Sequence, residues 1–137
     1  SVCSVRVEIS TRNDLLLPPI TLLLEPSYRD LNAFEVPAMA PVEVAAEKVR
    51  AILKRQQARD LFDLRFLLKR GHMPAKDMLD KKLGYYGETF EWTAFEKAVD
   101  SKEGIWESEL ARLVPHTLQP FKQVRKEVLD GMRYLKI

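Results

Sequence analysis

Asp60 constrains this chain more than any other residue. Residues 58–68 read ARDLFDLRFLL. Wound at about 100° per residue, Leu61, Leu64, Leu67 and Leu68 form one apolar stripe, with Asp60 pointing into it and Asp63 on its edge. A carboxylate turned toward a core costs about 1–3 kcal/mol or more unless it is paired or binds a cation. Lys48, Arg55 and Arg59 are the nearest partners in sequence. One reading is a buried ion pair that staples two helices and fixes geometry more than it adds stability. The other is a functional site that spacing alone does not name.

The elements that must position these residues divide the chain near Pro41. Before it, alternation of Val5, Val7 and Ile9 with polar residues predicts a strand over 3–10, Ile20–Glu25 predicts another, and Ala33–Val36 a short third. After it the apolar period becomes helical. Val42, Ala45, Val49, Ile52 and Leu53 share one face, and Pro41 suits a first turn. The helix from Ala58 to Arg70 stops at Gly71. Shorter helices follow over 74–83, closed by Gly84, from Trp92 to near Gly104, and from Trp106 to a stop at Pro115. A long amphipathic stripe from Phe121 to Leu135 is weakened by Gly131. The expected fold is α+β: a small partial sheet in 1–40 and a helical bundle in 41–137, together expected to form one compact unit.

Bulk properties exclude several classes. With 137 residues, 46% hydrophobic and 31% charged, the chain builds one ordinary domain core. A single cysteine, Cys3, rules out an internal disulfide framework and fits a reducing cytoplasm, the expected location. His72 and His116 are too far apart for a zinc motif and read as loop residues. The apolar run Leu15–Leu24 contains two prolines and is too short to span a bilayer, so no membrane role is expected.

Charge is segregated. Residues 48–70 carry eight Lys or Arg against two Asp, and residues 77–109 carry nine acids against four Lys. The basic stretch suits phosphates, or else a solvated face neutralised by the acidic stretch. Trp92, Phe95, Trp106 and Phe121 fall at core spacing, and the four methionines read as gap fillers. Tyr85 and Tyr86, before Gly87, sit in a loop where a base could stack.

The succession VRVEIS (5–10), a strand, PVEVAAEKVRAILKR (41–55) and ARDLFDLRFLL (58–68) resembles the AbiEii/AbiGii-type nucleotidyltransferase toxins. The likeness covers roughly residues 5–70. It implies a fold like the C-terminal part of a polymerase-β-like transferase, using Mg²⁺ and an NTP. Glu8 would then be the third carboxylate of the metal site and Lys48 would face the nucleotide phosphates. Asp60 would be the acid of the last motif, with Asp63 as its partner and Arg55 and Arg59 flanking the nucleotide. Such chemistry needs cations on the departing pyrophosphate, and an aspartate can hold a lysine ammonium in place.

The chain departs from that pattern in lacking a Gly-Ser turn and a D-x-D strand. Those elements are expected upstream of Glu8, so the chain reads as the C-terminal part of a longer transferase, inactive alone. When complete, it would move a nucleotide to an RNA acceptor such as tRNA, opposite an antitoxin partner. The alternative is a non-catalytic module that binds an antitoxin or nucleic acid through the basic 48–70 surface.

Overall fold

The computed structural model describes residues 2–114 and 116–136. Strands β1 (Ile20–Leu24) and β2 (Phe34–Ala38) pair antiparallel, Ile20 opposite Ala38 and Leu24 opposite Phe34. Among the described residues six α-helices follow: α1 (Pro41–Lys54), α2 (Ala58–Lys69), α3 (Lys76–Gly84), α4 (Trp92–Asp100), α5 (Trp106–Leu110) and α6 (Phe121–Gly131). The α+β expectation holds, with strands two and three of the sequence reading forming the whole sheet among the described residues.

The strand expected over 3–10 is not formed. Val5, Val7 and Ile9 are 89%, 76% and 86% exposed, and no neighbouring strand meets their backbone. Alternation specifies which face a strand would bury, but a strand also needs a partner edge for its N–H and C=O groups.

The core lies between α1 and α2, which form a helical hairpin, and the helices packed on them. α1 meets α3 and α4, while α2 meets α5 and α6. Ala45, Ala46, Val49 and Ile52 of α1 and Leu61 and Leu64 of α2 are sealed from solvent, as are Phe95, Trp106, Val124 and Val128. Trp92 is only partly buried, its indole N–H bonded to Glu96. Met132 is a core residue, whereas Met73 is half exposed and fills no gap. Gly71 stops α2 in the left-handed region, φ 85°. After α3 that conformation falls at Gly87, φ 71°, so Gly84 stays helical. α4 ends at Asp100, ahead of a 3₁₀ turn over Glu103–Ile105. Gly131 ends α6 instead of weakening its middle. Pro115, the expected stop after α5, lies outside the described residues.

Two buried ionic groups hold the hairpin and its neighbours. Lys102, 1% exposed, donates through Nζ to Ile52 O at 3.0 Å, Arg55 O at 3.1 Å and Gln56 Oε1 at 2.9 Å. It thereby satisfies carbonyls that the end of α1 leaves open, at the negative end of the helix dipole. Glu109 accepts from Ala58 N–H at 2.7 Å and so caps the start of α2. The α1–α2 corner is clamped from both sides.

The second group is Glu43 and Lys82, 0% and 1% exposed at the side chain and 2.6 Å apart. Glu43 also accepts from the backbone N–H groups of Leu16 and Leu17, each at 2.9 Å. Lys82 reaches Asp14 O at 2.8 Å and Glu47 at 2.9 Å. Together they pin residues 14–17 against α1 and α3.

Arg65 of α2 pairs with Glu127 of α6, which Lys69 also approaches at 3.3 Å. The Arg65 bond, opposed only in part by burial, lowers the Glu127 carboxyl from 4.5 to about 2. A depressed folded-state value means that the stabilisation is present above the unfolded value and disappears as pH falls through the folded one. Glu127→Gln is therefore expected to flatten the acid-induced loss of stability between about pH 4.5 and 2. Urea melts across that range check it; unchanged pH dependence would count against the pair.

Candidate functional site

Lys48 projects from the middle of α1 toward the first turns of α2. Its Nζ lies 3.2 Å from Asp60 Oδ1 and 2.8 Å from Asp63 Oδ2. Arg55, just past the end of α1, grips Asp60 with two bonds, Nε to Oδ2 at 2.7 Å and Nη2 to Oδ1 at 2.9 Å. Asp60 itself is 0% exposed. Its place in the first turn of α2 adds the favourable N-terminal dipole. Burial pushes the Asp60 carboxyl up, but the bonds from Arg55 and Lys48 outweigh it and leave the group below the usual carboxylate range. The same bond to Asp60 raises Arg55, against burial, with smaller help from the charge of Glu8.

The structure thus unites Lys48, Asp60, Asp63 and Arg55, four of the six residues singled out in the sequence. Arg59 is exposed on the other flank, lining a separate hollow with Gln57 and Glu109. Its side chain and the Asp60 carboxylate do not meet, because adjacent helical positions diverge by about 100°. Glu8 is 80% exposed at the side chain and sits 3.5 Å from Arg6. Its charge reaches Arg55 without a direct bond.

Lys48 and Arg55 form one wall of an open cleft of about 340 Å³. The remaining lining comes from Arg12, Glu47, Arg50, Ala51, Lys54 and Tyr86. Five cations and one carboxylate line it, and each cation is also paired with an acid, so an anionic ligand would share positive charge with Asp14, Glu47, Asp60, Asp63 and Glu88. Sequence reasoning missed Arg12, Arg50 and Lys54. For Arg50 and Lys54 the signal was present, since they lie four residues apart on one face of the helix that also carries Lys48. Arg12 comes from a distant segment and carried no such signal.

The basic stretch 48–70 is less free than its composition suggests. Lys48, Arg50, Lys54, Arg55, Arg65 and Lys69 are all ion-paired. Their partners are mostly Glu47, Asp60, Asp63 and Glu127; of the acidic 77–109 segment only Glu88 takes part. Arg70 instead covers the Phe66 ring at 4.3 Å.

A family model for the nucleotidyl transferase AbiEii toxin of type IV toxin–antitoxin systems matches residues 1–127. The chain belongs to the AbiEii nucleotidyl transferase toxin family. No curated protein and no solved structure matches it. The AbiEii match extends well past the 5–70 stretch that carried the resemblance and takes in α3 to α5 and most of α6. AbiEii membership suggests an antitoxin as partner, and the family generally uses an NTP and Mg²⁺. No helix among the described residues is long and apolar enough to cross a membrane.

The residues of this AbiEii chain fit the two cofactors unequally. Phosphates suit the cationic cleft. A Mg²⁺ centre is not built: among the described residues no three His, Cys, Asp or Glu side chains come together. Both oxygens of Asp60 are already engaged by Arg55 and Lys48, and a hard dication requires oxygen ligands that are free to turn toward it.

Proposed function

We propose that this AbiEii chain supplies the phosphate-binding wall of a nucleotidyltransferase that moves a nucleotide from an NTP to an RNA acceptor. The supporting observation is Asp60: a fully buried carboxylate that holds Lys48 and Arg55 together at the edge of a cationic cleft. Lys48 and Arg55 place positive charge where the triphosphate lies and offset the charge that grows on departing pyrophosphate. Asp60 touches neither substrate. It is a positioning residue, fixing both cations before the ligand arrives, and Asp63 restrains Lys48 from the open side. Glu8 is the metal carboxylate only by resemblance, and the described residues place no second ligand beside it. This reading needs a Gly-Ser turn and a D-x-D strand, which residues 1–137 do not carry.

The test is transfer of label from α-³²P-labelled NTPs to total tRNA by the complete protein. Lys48→Ala is expected to lower turnover at least a hundredfold, since removal of one transition-state donor costs about that much. Full turnover in Lys48→Ala would remove the phosphate role.

A further inference from the structure

The cleft has a second end that the reading above leaves unused. Tyr85 and Tyr86 stand on the turn after α3, 65% and 44% exposed, with their rings edge to face at 5.2 Å. The turn is held in shape: Tyr86 N–H donates to Leu83 O at 2.8 Å, Glu88 N–H to the same oxygen at 3.2 Å, and Gly87 takes the left-handed conformation. Three cations from two separate segments gather on these rings. Arg12 lies 5.2 Å from the Tyr85 centroid, while Lys54 and Arg50 lie 4.8 and 6.0 Å from that of Tyr86. Arg50 Nε is buried without a partner among the described residues, a donor not yet used.

Exposed aromatic rings interleaved with cations are what a single nucleic-acid strand needs: a π-face for a base and positive charge for the phosphates on either side. An acidic peptide would use the cations and leave the rings idle. We propose that the Tyr86 end of the cleft binds a single-stranded nucleic-acid segment, with a base on Tyr86 or Tyr85 and its flanking phosphates on Arg12, Arg50 and Lys54. This places the acceptor strand of the proposed transfer, and so rests on that reading for its purpose, although the binding itself does not require catalysis. Lys48 and Arg55, which line the same cleft, then face the nucleotide.

The test uses the 137-residue chain and fluorescence anisotropy with labelled oligo(U) and oligo(dT) of about ten nucleotides, a length within the usual site sizes. Tyr86→Ala is expected to weaken binding about tenfold and Tyr86→Phe to preserve it. Lys54→Gln and Arg50→Gln are expected to flatten the dependence on salt. Equal affinity for both probes assigns the recognition to bases and phosphates, and a preference for oligo(U) adds the 2′-hydroxyl; either result supports the proposal. Absence of binding overturns it, as does affinity indifferent to alanine at both Tyr85 and Tyr86. Polyglutamate competing as strongly as oligo(U) overturns it too and identifies an acidic protein partner. Binding through Tyr86 by a complete protein that transfers nothing keeps this inference and removes the catalytic one. Transfer that survives Tyr86→Ala at full efficiency does the reverse.

Discussion

Asp60→Asn is expected to abolish nucleotide transfer by the complete protein while lowering its stability by only about 1–2 kcal/mol. Asparagine keeps the shape of the side chain but removes the charge that draws Lys48 and Arg55 into register. A fully enclosed ion pair loses about 3–5 kcal/mol when one member is removed. Here the freed cations have an escape, because the Arg55 side chain is 46% exposed and that of Lys48 is 22% exposed. Both can turn to water, which discounts the penalty. What they lose is their fixed position over the cleft, and a misplaced charge contributes little to a transition state. The measurement is a melting curve beside a transfer assay normalised to folded protein. A collapsed melting temperature with full activity per folded molecule would make Asp60 a purely structural staple. A rise in KM alone would limit its role to ground-state binding.

Lys82→Met should be the most destabilising of the simple substitutions, at about 3–5 kcal/mol. Its partner Glu43 has no route to solvent, and both side chains are at most 1% exposed. Without Lys82, Glu43 retains only the N–H groups of Leu16 and Leu17. In the native protein, burial raises the Glu43 carboxyl, but Lys82 and those two N–H groups bring it below its ordinary value. That contribution is present above the unfolded pKa and is lost as pH falls through the folded one. Removing Lys82 leaves burial less opposed, so the variant's Glu43 takes up a proton more readily. The stability gap between the two proteins is therefore expected to narrow from pH 7 to pH 4. Glu43→Gln added to Lys82→Met should recover part of the loss, because it removes the orphaned charge. Urea titrations of both variants at the two pH values decide it. A double variant no more stable than Lys82→Met would mean that the pair is not the source of the effect.

Periodicity and end signals made most of the helical architecture legible. Pro41 starts α1 and Gly71 stops α2 where the sequence predicts, because each acts through its own backbone geometry. Asp60 was legible for a related reason: a carboxylate inside an apolar stripe is a local contradiction that requires a partner. Glu43, Lys82 and Lys102 were not. Each looks like an ordinary surface charge in its own helix or turn, and is buried only because a carbonyl, an N–H group or an opposite charge arrives from a distant segment. The 3–10 segment failed in the opposite sense, since its pattern is that of a strand while its partner edge is missing from the described residues. Lys48, Asp60, Asp63 and Arg55 were recoverable because two adjoining helices and the short corner between them carry all four. Arg12 was not, and Tyr86 was legible only as a loop ring able to stack a base, because the fold alone brings the amino-terminal segment and the α3 turn to the same cleft.

The grip of Glu43 on the arm is directed at peptide groups, not at side chains. Leucine at 16 and 17 is therefore not what the carboxylate recognises, and almost any side chain at those two places presents it with the same pair of donors. Proline is the exception, having no N–H to offer. Over evolutionary time the arm can change its outward character, and with it whatever it meets, while keeping its mooring.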